Sequence, residues 1–231
     1  MANDKHTITP RAFFGRRKGH PLREKQSALF DALLPKLALD LTKPAPADLR
    51  TLFNHARDVR LEIGFGGGEH LIAQAQANAD TGFIGVEPFV NGMGKALAAI
   101  DTHGIGNIRL HFDDAVHLLA WLPDAALARV DLLYPDPWPK RRHWKRRFVQ
   151  DESLRELARV IRHGDEFRFA TDIPDYAAWT LARILRSTDF EWTAERDSDW
   201  KNPWPGFIRT RYEAKAIREE RTPAYYIFRR V

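Results

Sequence analysis

Cysteine is missing from all 231 residues, so disulfides, thiolate metal sites and a cysteine nucleophile are excluded. Long apolar runs are missing too. No window approaches the roughly 20 residues that span a bilayer, and Met1-Ala2-Asn3-Asp4-Lys5-His6 lacks the apolar core of a signal peptide. A soluble, cytoplasmic protein with no membrane partner is the expectation. The nine histidines include no His-x-x-x-His pair and the four serines no Gly-x-Ser-x-Gly elbow, which argues against metallohydrolase and serine-hydrolase chemistry and against a bound metal. Internal repeats and low-complexity tracts are also absent.

What is present suits one sizeable α/β domain, because 44% hydrophobic residues suffice for a real core at this length. Charge is unevenly spread. Of the 36 Lys and Arg, seven fall in residues 1–25 and six in residues 140–147, and the remainder of the chain is net acidic. Basic charge gathered into two segments on an acidic body reads as a phosphate-binding footprint; a solvated basic face or a localisation signal is the alternative. Residues 1–21 mix Arg, Lys, Gly and aromatics without a period. They are expected as a basic flexible arm that orders on contact, leaving 22–231 as a single domain.

Leu29, Phe30, Leu33, Leu34 and Leu37 recur at helical spacing, with Pro35 expected to kink or split the segment. Further on, strands at 59–63, 81–86, 107–112, 130–133 and 166–170 alternate with helices at 69–78, 94–102, 115–121, 152–161 and 174–185. Such alternation implies parallel βαβ units. Two more strands, 190–194 and 224–229, are expected as an antiparallel hairpin joined by a long Trp- and Pro-rich segment.

In an open parallel sheet, ligands bind beyond the carboxyl ends of the strands. Those ends carry Gly64-Phe65-Gly66-Gly67-Gly68, Glu87, Asp113-Asp114, Pro135-Asp136-Pro137 and Thr171-Asp172, with Glu62 inside the first strand. The expected pocket is glycine-floored and acid-lined. Glycines let backbone approach a ligand closely, and Glu87, 19 residues past Gly68, suits the hydroxyls of a ribose. Charge discriminates among adenosine cofactors. A dinucleotide's pyrophosphate would be repelled by Glu62, Glu69, Glu87 and Asp114, whereas the sulfonium and ammonium of S-adenosylmethionine would be attracted. Glu69 also replaces the third glycine of Gly-x-Gly-x-x-Gly, and no Lys-Ser/Thr follows the turn as a nucleoside-triphosphate loop requires. Three of these acids have a structural alternative: Asp114 and Asp172 as helix caps, Glu62 as a strand residue with a buried partner.

The run Tyr134-Pro135-Asp136-Pro137-Trp138-Pro139-Lys140 fixes a carboxylate between prolines directly after an apolar strand. Proline locks φ and donates no backbone hydrogen bond, so this stiff loop presents Asp136 instead of extending the strand. It leads into Arg141-Arg142-His143-Trp144-Lys145-Arg146-Arg147. A rigid carboxylate, tryptophans that stack or pack, and a dense cationic stretch suit a site that works on a polyanion.

The segments Leu61-Glu62-Ile63-Gly64-Phe65-Gly66-x-Gly68 and Gly85-Val86-Glu87 are shared with many methyltransferases. Far more specific is Pro135-Asp136-Pro137-Trp138-x-Lys140-x-x-His143-x-Lys145-Arg146-Arg147, followed by Ala170-Thr171-Asp172 and Thr210-Arg211-Tyr212-Glu213. Together they resemble the bacterial tRNA (guanine-N7-)-methyltransferases over most of the chain. The resemblance implies a Rossmann-like class I S-adenosylmethionine-dependent methyltransferase fold: a mostly parallel seven-stranded sheet with helices on both faces and a C-terminal antiparallel hairpin. It implies methyl transfer from S-adenosylmethionine to N7 of a guanosine in the tRNA variable loop, with no obligatory protein partner. Glu62, Gly64, Gly66, Gly68, Glu87 and Asp114 would bind the cofactor, with Asp136 at the reaction centre. Lys140, Asp172, Thr210, Arg211, Tyr212 and Glu213 would hold the substrate, Lys140 by guanine O6 or a phosphate. The basic residues Arg141, Arg142, Lys145, Arg146 and Arg147 would meet the RNA backbone. The stretch Ala214 to Arg221 departs from the family's glycine-containing continuation. Asp136-Pro137-Trp138 also partly resembles the Asp-Pro-Pro-Tyr loop of enzymes that methylate exocyclic amines, which leaves that chemistry, and a non-catalytic RNA-binding role, as competing readings.

Overall fold

The structure, a computed structural model, describes residues 14–231; the part of the expected basic arm before Phe14 lies outside the described residues. Helix α1 (Glu24–Ala32) gives way to α2 (Leu34–Leu37), and Pro35 falls in the first turn of α2, where its missing N–H is no loss. The proline therefore splits the helix. Alternation then sets in with β1 (Asp58–Ile63), α3 (Glu69–Ala77), β2 (Thr81–Val86), α4 (Val90–His103), β3 (Ile108–His111) and α5 (Ala115–Trp121). It continues with β4 (Leu127–Leu133), α6 (Asp151–Val160), β5 (Ile161–Thr171), α7 (Pro174–Ile184) and β6 (Phe190–Trp192), and the chain closes with α8 (Ser198–Lys201), α9 (Arg211–Arg218) and β7 (Ala224–Arg230).

The strands form one seven-stranded sheet in the order β3-β2-β1-β4-β5-β7-β6. The first five are parallel, and β7 lies antiparallel between β5 and β6. The expected partners 190–194 and 224–229 thus pair antiparallel, with β7 inserted into the sheet. Strand order reverses between β1 and β4, so a crevice opens at their carboxyl ends.

Strand parity divides the core. Ile63, Ile84, Val130, Leu132 and Phe169 face the side covered by α5, α6 and α7, while Phe83, Ile108 and Leu110 face α3 and α4 with Leu71, Met93 and Leu97. Burial on both faces explains why β2, Thr-Gly-Phe-Ile-Gly-Val, reads as a nearly unbroken apolar run.

Two elements differ from expectation. Helix α4 starts at Val90, ahead of Gly94, because Gly92 is a contact and not a break: a methyl there would sit 2.3 Å from the Gly66 carbonyl oxygen. The connection between β6 and β7 carries α8 and α9. Helix α9 buries only Glu213 and Ala216, so it has no apolar stripe to announce it. Among the described residues, no helix is long and apolar enough to cross a membrane.

Phe169 is fully buried on β5, with ring centroids 5.4 Å from Tyr176 and 6.3 Å from Tyr226. Phe169→Ala should lower unfolding free energy by roughly 3–5 kcal/mol, read as a reduced urea midpoint with an unchanged slope.

Candidate active site

At the crevice between β1 and β4 lies a cavity of about 450 Å³, lined by Ile63, Gly64 and Gly66 after β1, Glu87 after β2, Asp114 before α5, and the 134–138 loop. Phe14, Gly15 and Arg16 line it from the N-terminal segment. That segment is pinned to α4: the Val90 amide donates to the Arg17 carbonyl at 2.9 Å, the Gly19 amide to Asn91 Oδ1 at 2.8 Å, and Arg17 pairs with Asp113 at 3.0 Å.

The cavity floor depends on backbone shape. Gly64 lines it with φ +70°, and a Cβ there would meet nothing within 4 Å, so it is the left-handed conformation and not crowding that calls for glycine. Glu87 holds the glycine turn in place. Its carboxylate accepts from the Gly66 amide at 2.6 Å and the Phe89 amide at 2.9 Å, joining the turn to the start of α4. Burial pushes the Glu87 carboxyl up to about 7 against these two amides. A carboxylate has about four lone-pair sites, so two amide bonds leave capacity for ligand hydroxyls.

Opposite stands Asp136. Its loop is bracketed by two non-glycine residues in the left-handed region, Tyr134 at φ 51° and Trp138 at φ 44°, a strained arrangement that surrounding structure must hold. The Tyr134 amide donates to the Ala170 carbonyl at 2.7 Å, and Arg147 Nε donates to the Pro137 carbonyl at 2.8 Å. Asp136 reaches solvent through the cavity mouth but sits low among protein atoms, and this desolvation raises its carboxyl above the ordinary aspartate range. The Arg146 guanidinium lies 4.9 Å from the Trp138 ring and 5.0 Å from Phe14, closing that wall.

At the rim, Tyr212 lines the cavity, with Arg211 stacked on it at 4.9 Å and donating to its hydroxyl at 3.2 Å. Thr210 caps α9, its hydroxyl accepting from the Glu213 amide at 3.1 Å. Buried Glu213 accepts from the Tyr225 hydroxyl, which ties α9 to β7.

A methyltransferase family model, described as "Putative methyltransferase", matches residues 56–225. A protein of Rhodopseudomonas palustris strain BisB18 named tRNA (guanine-N(7)-)-methyltransferase is 63% identical over 221 residues, covering 95% of this chain and 88% of that protein. One of the same name from Bradyrhizobium diazoefficiens is 61% identical over 221 residues, covering 95% and 94%. The chain belongs to the tRNA (guanine-N7-)-methyltransferase family. The fold is shared more widely. The 16S rRNA methyltransferase KamB superposes with TM-score 0.54 at 17% identity over 82% of this chain and 94% of its own, and the aminoglycoside-resistance methyltransferase NpmB1 with 0.53 at 19% over 82% and 95%. These confirm the class I methyltransferase fold.

In this methyltransferase the cavity brings together Gly64, Gly66, Glu87, Asp114, Asp136 and Tyr212. It does not bring together every expected residue. Glu62 is turned away, because alternation along β1 sends Ile63 to the cavity and Glu62 to the α3 face. There Glu62 is buried and 2.8 Å from His70 Nδ1. Burial raises the Glu62 carboxyl against the pull of His70, and the same pair raises His70 despite its burial. Gly68 lies outside the lining and serves as the left-handed N-cap of α3. Asp114 does both things foreseen for it: it lines the cavity, and it caps α5 by accepting from the Val116 amide at 3.1 Å. Asp172 is buried against Arg221.

The basic run also divides. Lys140, Arg141, Arg142 and Lys145 are exposed, Arg146 joins the cavity wall, and Arg147 is fully buried. Arg147 as a backbone-phosphate partner is therefore corrected: a side chain with no exposed surface cannot reach a phosphate. The lining is also less acidic than expected, since Arg16 and Arg146 face Glu87, Asp114 and Asp136. Mixed charge around a glycine floor fits S-adenosylmethionine, which carries a sulfonium, an ammonium and a carboxylate. Phe14 and Arg16 had a faint sequence signal in the aromatic and basic composition of the arm; the spacing of the strand ends could not disclose them.

With Glu87 near 7, the acceptor form that suits ribose hydroxyls is lost as pH falls through about 7. Affinity for S-adenosylmethionine should rise with pH through that point and level off above it. Glu87→Gln should flatten the profile and weaken binding, both readable by calorimetric titration.

Proposed function

We propose that this protein transfers the methyl of S-adenosylmethionine to N7 of a guanosine in the variable loop of cytoplasmic tRNA. The names and high identity of its relatives support the reaction class. The observation that carries the reading is the Asp136 carboxylate, held between prolines at the mouth of a glycine-floored cavity and next to a basic 3₁₀ helix, Arg141–Arg146.

S-adenosylmethionine, when bound, supplies an electrophilic methyl group on a positively charged sulfur. Gly64, Gly66, Glu87 and Asp114 would hold it. Guanine N7 carries an in-plane lone pair and no proton, so the protein needs no general base at that atom. Positioning and electrostatics supply the rate. Asp136 accepts hydrogen bonds from the guanine N1–H and 2-amino edge, which selects guanine over adenine, since adenine has no donor at N1. Such a bidentate contact contributes roughly 1–3 kcal/mol of discrimination. Positive charge grows on the purine as the methyl transfers, and a carboxylate already fixed beside the base attracts that charge without having to reorganise. Tyr212 and Arg211 border the same opening, and Thr210, Glu213 and Asp172 support the rim through their own partners. Arg141, Arg142 and Lys145 bind tRNA phosphates, and Lys140 contacts guanine or the adjacent backbone.

Incubation with unmodified tRNA transcript and methyl-labelled S-adenosylmethionine, followed by nuclease digestion and mass spectrometry, should place the label in 7-methylguanosine. Label in another nucleoside would overturn the guanine-N7 assignment. Asp136→Ala should lose about 100-fold or more in turnover while keeping cofactor affinity, and undiminished methylation would sink its role. Binding of tRNA should weaken steeply with salt. Replacing Arg141, Arg142 or Lys145 by Ala should each reduce the slope of log affinity against log salt by roughly 0.7–0.9.

A further inference from the structure

Arg147 is fully buried, yet it closes a cationic run that otherwise reaches solvent or the cavity. Its guanidinium is boxed by three aromatic rings, at 5.1 Å from Trp144, 5.0 Å from Tyr176 and 4.9 Å from Trp179. It pairs with the Asp175 carboxylate at the start of α7. Its Nε donates to the Pro137 carbonyl at 2.8 Å, one peptide unit past Asp136. We infer that Arg147 is a positioning residue that fixes the Asp136 loop against α7, and not an RNA contact.

Several independent features converge on this role. The loop contains left-handed Tyr134 and Trp138, so its shape is not one the chain adopts unaided. Prolines at 135 and 137 fix φ but donate no hydrogen bonds, so the loop has few backbone anchors of its own. Two anchors remain. The Tyr134 amide meets the Ala170 carbonyl at 2.7 Å on one side of Asp136, and Arg147 meets the Pro137 carbonyl on the other. Burying a guanidinium is costly unless it is paired and hydrogen-bonded. Here the carboxylate, the carbonyl and three ring faces offset that cost, and only an arginine's planar fork reaches partners in different directions while stacking on rings.

The inference deepens the proposed guanine-N7 transfer and takes the meaning of turnover from it. Arg147→Lys keeps the charge and loses the fork. Its kcat should fall about ten- to a hundred-fold, as expected for a misplaced reacting group. Dissociation constants for S-adenosylmethionine and tRNA, and the salt slope of tRNA binding, should match wild type. Amide hydrogen exchange across residues 134–146 should quicken while the rest of the sheet exchanges as before. Wild-type kcat with a shallower salt slope would overturn the inference in favour of a phosphate contact. Should Arg147→Lys not fold, Asp175→Asn removes only the charge of the exposed partner. Faster exchange across the loop with lowered kcat would then support the role, and wild-type values of both would overturn it. The exchange readout separates this inference from the activity reading. Wild-type protein that makes no 7-methylguanosine would retire the reaction, while faster loop exchange in the variant would still support anchoring of Asp136.

Discussion

A parallel strand sends successive side chains to opposite faces, and at the carboxyl edge of this sheet that parity decides which acids face the cavity. Ile63 and Leu132 line the cavity at the ends of β1 and β4, so Glu62 and Asp131, one residue earlier in each strand, turn to the α3 face. Both are buried there. Glu62 meets His70, Asp131 pairs with Arg129 at 2.9 Å, and Arg129 reaches Gln74, whose amide nitrogen donates to the Gly206 carbonyl at 2.8 Å. Polar groups buried this deeply are tolerable only when paired. Carboxylates beyond the strand ends escape parity because a turn re-aims them, which is why Glu87, Asp114 and Asp136 reach the cavity.

The two carboxylates that face each other across the cavity are held in different ways. Glu87 is held by two backbone amides, so it supports the glycine turn whatever else it binds. Asp136 receives no comparable bonds among the described residues, and desolvation raises its carboxyl. In the proposed reaction, a carboxylate with acceptor sites left open gains most from a partner whose charge is increasing. That is the requirement for interactions stronger in the transition state than in the ground state.

How much of this was legible in the sequence follows from the range of the forces involved. Pattern within a segment sufficed for the alternating elements, for the buried β2 run, for the presentation of Asp136 between prolines and for Glu87 by its distance from the glycines. Residues whose role depends on packing from distant segments were not legible. Arg147 looks like one more cation in a basic run, and only α7, contributing Asp175, Tyr176 and Trp179, makes it a buried clamp. Helix α9 escaped apolar periodicity because its inward side carries Glu213, but Thr210-x-x-Glu213 has the spacing of a capping box and was a usable sign of a helix start.

The division of the basic run has a local cause as well. Residues Arg141–Arg146 form a 3₁₀ helix, in which positions three apart eclipse one another. His143 and Arg146 therefore share one side and both meet Trp138, with ring centroids 5.8 Å apart for His143 and the guanidinium at 4.9 Å for Arg146. Arg142 and Lys145, also three apart, share the solvent side, and Arg141 at the start of the helix is exposed as well. In the proposed reaction, one short helix then has its outer side on the RNA backbone and its inner side on the wall of the cavity that receives the base. Backbone docking and base placement are joined through a single rigid turn, and the turn ends at Arg147, whose grip on Pro137 carries the same rigidity to Asp136.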